Sequence, residues 1–339
     1  VAFHKYVISK TSYFDTSFQN WGGEDTEMGF RIYNSGYYFI PVKGATALHQ
    51  EPIDGIGDVD REAGQVITHE LLIDKCPAAH YRKYEKDKTY SVPKVSIYIP
   101  AYNASNYIEE AVNSALNQSY TDLEVVIVDD GSTDDTLKIL EKKYDSNPRV
   151  RYFSQKNKGI GAASNRAVKL CKGQFIGHLD ADDILKIDAV ETLLPFFSNK
   201  EIGCVYGSYE VIDTKGNFVR EGWDRAVFTR EEMLCGMIVH PFRLFRKRDW
   251  WRTSGFDESL ENAVDYDIYS KLSDVCNFHH VNKILYSYRH HGQNTSIKKK
   301  LAQDKNTIKV IHNSLERLSL HEMWEPFAPN SEKPKSITF

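Results

Sequence analysis

Between residues 95 and 179 the chain alternates short apolar runs with amphipathic stretches, and this alternation narrows the folds open to it. The run at 123–128 (LEVVIV) is almost continuously apolar, as in strands buried on both faces of a parallel sheet. Ile108, Val112 and Leu116 recur at the spacing of one helix face. Strands are predicted at 95–99, 123–128, 150–153 and 175–179, with helices between them. The succession predicts an α/β fold with an open, doubly wound, mostly parallel sheet.

Polar residues near the predicted helix starts indicate where these helices begin. Asn103 is predicted to cap the first helix, and Ser132 has the capping-box relation to Asp135 at the start of a second helix, 132–144. A third helix is predicted at 162–171. Since ligands of open α/β sheets bind beyond the carboxyl ends of the strands, the polar residues that follow the strands are the candidates for a binding site.

The composition excludes several classes of protein. With 43 Lys and Arg against 47 Asp and Glu, the net charge of −4 argues against a nucleic-acid binder that works by bulk charge. No stretch approaches the 18 apolar residues of a membrane span, and no signal segment opens the sequence, so a soluble, globular chain is predicted. The five cysteines are far apart and lack a CxxC pair, which favours a reducing compartment over a disulfide framework or a zinc ribbon.

One pattern occurs twice. Asp25, which follows Trp21-Gly22-Gly23-Glu24, precedes His49 by 24 residues, and Asp265 precedes His291 by 26 residues after a similar run. We therefore expect a C-terminal part of a first domain, a polar linker, a complete related domain and a loosely held tail, at 1–76, 77–93, 94–322 and 323–339. A first residue that is Val and not Met adds to the expectation that the chain is a fragment.

Two motifs suggest a nucleotide site. Pro100 and Tyr102 follow the first predicted strand, and Asp130 follows the second. A tyrosine ring can stack on a base and a carboxylate can accept its N–H, which suits uracil; the alternative is a turn in which Asp130 only caps a helix. The Gly159-Ile160-Gly161 run lacks the third glycine of a dinucleotide fingerprint, so we reject that reading. Its turn can still bring Lys158 near phosphate oxygens.

Other residues suggest a metal ion and a base. Asp180, Asp182 and Asp183 crowd one strand end, and their repulsion favours a divalent cation such as Mn²⁺ or Mg²⁺; a solvated helix start is the alternative. His291 is the predicted imidazole ligand, although its neighbour His290 or a plain surface role is an alternative. Asp265, at a predicted helix start, suits a general base, or else simply caps that helix.

The run at 242–251 mixes cations with aromatic residues. Such residues stack on sugars and clamp carboxylates, but a solvated face that covers a core strand is the favoured reading.

Taken in order, these motifs closely resemble the inverting, GT-A-fold glycosyltransferases of family 2, over residues 94–292. The first copy, with Glu24, Asp25 and His49, looks like the acceptor half of a second domain of this fold. Two such domains in tandem are similar to the bacterial two-domain glycosaminoglycan polymerases of the chondroitin and hyaluronan type, which make capsule polysaccharides, and the chondroitin type is preferred.

The resemblance implies an activity. The second domain would add glucuronic acid from UDP-glucuronate, in β linkage, to the N-acetylhexosamine end of a growing chain. Tyr102 and Asp130 would hold uracil, and Asp180 the ribose or the metal. Asp182 and His291 would bind Mn²⁺, and Asp265 would take the acceptor proton. Val264 stands where the first copy has Glu24, so the contacts of that glutamate to an acceptor have no counterpart in the second copy.

The resemblance also implies partners and a location. The partners would be UDP-glucuronate, the glycosaminoglycan acceptor and the missing part of the first domain. The location would be cytoplasmic, either free or peripheral at the inner face of the bacterial membrane. A non-catalytic carbohydrate-binding module on a transferase fold and a sugar nucleotidyltransferase are the competing hypotheses; the second would want a glycine-rich, basic loop after the first strand, which Ala101-Tyr102-Asn103 does not offer.

Overall fold

The computed structural model describes residues 28–29, 31–32, 93–223, 225, 227–292 and 300–322. The chain divides into two units, Val1–Ser91 and Val92–Phe339. In the first unit the four described residues are helical. Glu24, Asp25, His49, the predicted linker up to residue 92 and the predicted tail lie outside the described residues, so the predicted domain boundaries and the first-domain assignment stay predictions.

The first half of the second unit is a parallel α/β layer. Its strands are β1 (Val95–Ala101), β2 (Leu123–Asp129), β3 (Val150–Ser154) and β4 (Phe175–His178). Its helices are α1 (Ile108–Leu116), α2 (Thr136–Tyr144) and α3 (Ile160–Leu170). The strands lie in the order β3-β2-β1-β4 and all three pairs are parallel, so the carboxyl ends of β1, β2 and β4 lie at one edge.

The second half extends the same sheet with mixed pairings. Its strands are β5 (Ile184–Leu185), β6 (Ile202–Ile212), β7 (Phe218–Glu221), β8 (Arg243–Arg246) and β9 (Asn277–Arg289). Its helices are α4 (Ala189–Leu193), α5 (Arg230–Cys235), α6 (Lys247–Trp250), α7 (Val264–Ser273) and α8 (Lys300–Arg317), with a 3-10 turn at Leu194–Ser198. The sheet order continues β4-β8-β6-β9-β5, and β7 forms a hairpin with β6. Strand β8 is antiparallel to both neighbours, whereas β6 and β9 are parallel.

Apolar residues cover both faces of the sheet. Along β1, Ile97 and Ile99 belong to one buried cluster and Tyr98 to the other, as the two-residue repeat of a strand requires. Helix α1 contributes Ile108 and Val112 to the first cluster, while α3 contributes Ala163 and Ala167 to the second. The predicted α/β fold with helices on both faces is thereby confirmed. Among the described helices, none is long and apolar enough to span a bilayer.

Three local predictions are wrong. Helix α1 begins at Ile108, because Asn103 (φ 51°) instead donates its backbone N–H to Ser132 Oγ and accepts a bond from Thr133 N on its own Oδ1. Helix α2 begins at Thr136, after a loop that these same bonds hold against β1. The run at 242–251 is no solvated face, since it contains the buried interior strand β8.

Candidate active site

A loop of three carboxylates follows β4 at the edge where β1 and β2 also end. Tyr286, on β9, donates its hydroxyl to Asp183 Oδ2 at 2.7 Å and lies 3.3 Å from Asp180 Oδ2. The backbone N–H of Arg289 donates to Asp183 Oδ1 at 2.7 Å. Asp180 Oδ1 lies 3.3 Å from His178 Nε2. Strand β9 therefore holds the acid loop in place from the opposite side of the site.

Asp182 meets His291 although 109 residues separate them. His291 Nε2 lies 2.8 Å from Asp182 Oδ2. The His291 ring stacks on Tyr107 with 5.4 Å between centroids, and the Arg289 guanidinium lies 4.8 Å from the same tyrosine ring. Arg289 Nε donates to the Asp182 carbonyl at 2.9 Å. The neighbouring His290 is exposed, and its backbone N–H donates to Ile212 O. The geometry thus favours His291 over His290 as the partner of Asp182.

The three acids differ in how readily they ionise. Burial, with the charges of Asp182 and Asp180, raises the pKa of Asp183 well above its ordinary value. Burial and the Asp180 charge raise the pKa of Asp182 against the opposing effect of His291. Burial also opposes ionisation of Asp180, but His178 and Arg243 outweigh it, so the pKa of Asp180 is lowered. The proximity of the three acids therefore opposes the ionisation of Asp182 and Asp183, an effect that a nearby cation would reverse.

The donor set fits a divalent cation in part. In the portion of the chain that the structure describes, no group of three or more His, Cys, Asp and Glu side chains is arranged to hold a metal ion. One carboxylate and one imidazole that face each other across 2.8 Å do form a two-ligand set of the kind that suits Mn²⁺. The remaining ligands would have to come from a bound substrate and water, as in sites where a metal bridges phosphates.

Asp265 lies in the first turn of α7, and the neighbouring acid Asp267 has a different environment. Asp265 Oδ2 accepts a bond from Arg243 Nη2 at 3.1 Å, and its side chain is 43% exposed. Asp267 is buried and accepts bonds from Lys271 Nζ and from the backbone of Asp257. Asp267 therefore stabilises the fold, whereas Asp265 faces solvent where a substrate can reach it.

Arg243 is a residue that the sequence reasoning missed. It is buried on β8, its Nε donates to Val239 O at 2.8 Å, and its guanidinium lies 4.8 Å from the Tyr269 ring. Burial opposes the charge of Arg243, but Asp265 and its other neighbours prevail and raise its pKa. Tyr107, Tyr286 and Arg289 were also missed. Two of these residues had a signal in the sequence: Arg289 stands two residues before His291, and Arg243 lies in the cation-rich run at 242–251.

The residues predicted to bind the nucleotide lie near the ends of β1 and β2. Pro100 is buried within β1, and Tyr102, which follows the strand, is 52% exposed. Asp130 is buried; its Oδ1 accepts bonds from Gln155 Nε2 and Lys158 N, and its Oδ2 accepts one from Gly159 N at 2.8 Å. Gly159 has a φ of 91°, which favours glycine. Asp130 therefore shapes the loop before α3, and the Lys158 side chain is exposed at that loop.

Comparisons with known proteins give the family. The model of the family described as "Glycosyl transferase family 2" matches residues 96–263. The chain is 52% identical to the chondroitin synthase of Escherichia coli over 94% of its own length and 47% of that protein. It is 48% identical to the hyaluronan synthase of Pasteurella multocida over 94% of its length and 33% of that protein. The chain thus spans half or less of the length of these two relatives.

Two further comparisons fix the fold and the membership. An uncharacterized glycosyltransferase of Rickettsia typhi is 34% identical over 62% of this chain and 68% of its own length. The crystal structure of S. aureus TarS 1–349 in complex with UDP-GlcNAc has a TM-score of 0.52 at 21% identity, over 66% of this chain and 72% of that one, a likeness of fold. The resemblance predicted from the motifs is confirmed: the chain belongs to glycosyltransferase family 2, with the GT-A fold.

Proposed function

We propose that the unit containing residues 93–322 is an inverting transferase that adds glucuronic acid from UDP-glucuronate to the N-acetylhexosamine end of a chondroitin-type chain. One observation carries the proposal: Asp182 and His291 meet at 2.8 Å at the carboxyl edge of a family 2 sheet. Asp265, fixed by Arg243 on the neighbouring strand β8, supplies a carboxylate in the same unit.

The nucleotide would lie over the ends of β1 and β2. Tyr102 offers an exposed ring for the uracil face. Among the described residues, Asp130 Oδ2 accepts a hydrogen bond from Gly159 N, and because a carboxylate oxygen can accept two, it would accept a base N–H as well. Lys158, exposed at the loop that Asp130 holds, would contact the diphosphate oxygens. That TarS, which shares the fold, was solved with UDP-GlcNAc supports a UDP-sugar as donor.

A cation between the nucleotide and the protein would be held by Asp182 and His291, with Asp180 beside them. When bound, Mn²⁺ or Mg²⁺ neutralises charge that develops on a departing diphosphate. Arg289 and Tyr107 fix the ring and the backbone of this pair, so the two ligands are oriented before the substrate arrives.

The transfer itself needs a base and an in-line attack. The acceptor hydroxyl oxygen forms a bond to C1 of the sugar from the face opposite the diphosphate, the bond from C1 to the diphosphate oxygen breaks, and UDP leaves. An α-linked donor thereby gives a β-linked product. The acceptor proton passes to Asp265, whose position Arg243 fixes at 3.1 Å. Because this proton leaves late in the reaction, after the bond to C1 has begun to form, a carboxylate beside the acceptor hydroxyl can serve as the base.

The assignment of the donor sugar and of the polymer is inferred from the relatives. The chondroitin synthase and the hyaluronan synthase are both about half identical to this chain over nearly all its length, and both names describe glycosaminoglycan synthesis. The acceptor is therefore proposed to be a glycosaminoglycan, and residues 1–76 to belong to a first transferase domain that supplies the hexosamine.

A donor panel tests the proposal with the purified chain. UDP release is measured with Mn²⁺, a hexosamine-ended oligosaccharide and UDP-glucuronate, with UDP-N-acetylhexosamines as the comparison donors. We expect release only with UDP-glucuronate, together with an oligosaccharide longer by one uronic acid. Transfer of a hexosamine would overturn the donor assignment. Oligosaccharide binding without any turnover would instead favour a non-catalytic carbohydrate-binding module.

A further inference from the structure

A partly exposed aromatic cluster lies at the hairpin of β6 and β7 and takes no part in the chemistry proposed above. Trp223 follows the edge strand β7 and is 52% exposed. The edge of its ring meets His240 at 5.3 Å between centroids, and His240 in turn lies 5.2 Å from Tyr209 on β6. A large indole ring that packs against a neighbouring ring and still leaves half of its surface exposed is typical of a surface that binds a partner.

Arg225 adds a cation to the exposed indole. Its guanidinium lies 5.2 Å from the centroid of the Trp223 ring. Its ion-pair partner Glu232 is 3.8 Å away, and the two side chains are 52% and 38% exposed. Because this ion pair is long and solvent-exposed, it is weak. A carboxylate ligand that binds the guanidinium through two hydrogen bonds can therefore replace Glu232.

Two series of contacts link this cluster to the proposed active site. Arg243 donates to Val239, the residue before His240, and the same guanidinium holds Asp265. Tyr209 pairs in register with Tyr286, whose hydroxyl holds Asp183. Few residues therefore separate the cluster from the proposed base and from the acid loop.

We propose that Trp223 and Arg225 form a subsite for the acidic sugar that precedes the terminal hexosamine of the acceptor. This inference rests on the proposed function, in which a hexosamine-ended chain that alternates with uronic acid is extended. The indole would stack on the apolar C–H face of that uronic acid, and Arg225 would bind its carboxylate. The pair thus selects an acidic chain over a neutral one.

The test compares two acceptors that differ in one charge. One is a hexosamine-ended trisaccharide with a glucuronate in the second position, and the other is the methyl ester of that glucuronate. Trp223→Ala is expected to raise the KM for both acceptors about tenfold and to leave the KM for the UDP-sugar unchanged, the size expected for a lost sugar–indole stack. Arg225→Gln is expected to raise the KM for the acidic acceptor alone, so that the preference of the parent chain for it disappears.

Matched controls lie on the same hairpin and loop. Arg220→Gln removes an exposed arginine of β7, and Val227→Ala removes an exposed apolar side chain four residues after Trp223; both are expected to keep the acceptor KM of the parent chain. Trp223→Phe retains a ring and is expected to restore most of the affinity. Circular dichroism of each variant verifies that it is folded.

The outcomes separate the subsite from the reaction. Binding of the two trisaccharides is also measured by calorimetry, without donor. If the parent chain binds the acidic trisaccharide and the Trp223 variant does not, the subsite stands even where no transfer occurs and the proposed function fails. If both variants bind and use the acceptors as the parent chain does, the subsite is overturned. Equal loss for acid and ester in Arg225→Gln, or a changed oligomeric state in Trp223→Ala, also overturns it.

Discussion

Asp265 and Asp267 show what a single side chain contributes at this site. The two acids lie in one turn of α7. Asp267 is buried and bonded to Lys271, whereas Asp265 is partly exposed and accepts a hydrogen bond from the Arg243 guanidinium. The sequence alone does not distinguish the two acids, because each precedes apolar residues at helical spacing. Only the packing of the helix decides that Asp265 is the accessible one.

Asp265→Asn is expected to retain the binding of UDP and to lower kcat by about 10²- to 10⁴-fold, because the amide cannot take the acceptor proton. Single-turnover transfer and UDP titration by calorimetry check the two halves of this expectation. Asp267→Asn serves as the control: it should lower the thermal midpoint through the lost Lys271 ion pair, with kcat per folded molecule retained. A normal rate in Asp265→Asn would show that another group is the base.

Arg243 is proposed to position Asp265, and Arg246 on the same strand, β8, provides a matched comparison. Arg243 and Arg246 are both buried, but Arg246 donates to the carbonyls of Ile202 and Phe197 and takes no part in the site. Arg243→Lys is expected to lower kcat at least tenfold with little change in the KM of the donor, since a lysine cannot bond Val239 O and Asp265 together. Arg246→Lys is expected to lower the thermal midpoint and to leave kcat unchanged. Equal kcat in the two variants would contradict the role of Arg243.

At the scale of elements, the four strands of the parallel layer could be predicted to within one or two residues, because buried parallel strands are rich in apolar residues. The sequence predicts no bounds for β5 to β9. The starts of α1 and α2 could not be predicted in this way. Asn103 and Ser132, the residues expected near these starts, instead link the loops after β1 and β2 by hydrogen bonds and cap no helix. The run at 242–251, which contains β8, suggests a solvated face because four of its ten residues are cationic. The two arginines of β8 can be buried because backbone carbonyls and Asp265 accept their hydrogen bonds. Pairing with carbonyls distant in sequence leaves no local pattern.

Glu124 on β2 ties several elements of the parallel layer together. This buried carboxylate accepts bonds from Ser96 Oγ on β1 at 2.7 Å and from Lys172 N after α3 at 2.6 Å, and it pairs with Arg151 on β3 at 3.1 Å. Glu124→Leu removes the acceptor from all three donors and is expected to destabilise the fold by about 3 kcal/mol. For a domain of this size the thermal midpoint would fall by roughly 6 to 12 °C.

The control for this prediction is Glu141→Gln, at an exposed position of α2, which should change stability by less than about 0.5 kcal/mol. Glu124→Gln keeps an acceptor oxygen for Ser96 and Lys172 and should lie between the two. Thermal unfolding followed by circular dichroism measures all three. A Glu124→Leu variant as stable as the parent chain would mean that the network contributes nothing to the stability of the layer.

At the scale of the whole molecule, the candidate site depends on segments that are far apart in sequence. The motif order let the sequence place Asp182, Asp265 and His291 in one site, and the structure brings the first and last of these into contact. The contacts of Tyr107, Arg289 and Tyr286 could not be predicted, because they arise only when β9 pairs with β5 and β6. The donor sugar is set by side chains around the nucleotide and not by the fold, which many transferases share.

Binding of UDP and a cation should stabilise the folded state, because these ligands would bind only when β4 and the end of β9 are folded together. With UDP and Mn²⁺ at about 100 times the dissociation constant, the gain is about 2.7 kcal/mol, or roughly 5 to 10 °C in the thermal midpoint. Chelation of the metal should abolish the gain in the parent chain, and Asp182→Ala should show none, since His291 would lose its partner carboxylate. Asp265→Asn should keep the full shift, because the base does not touch the nucleotide. A shift in Asp182→Ala as large as that of the parent chain would exclude Asp182 from the metal site, whereas an equal shift with and without Mn²⁺ would show that UDP binds there without a cation.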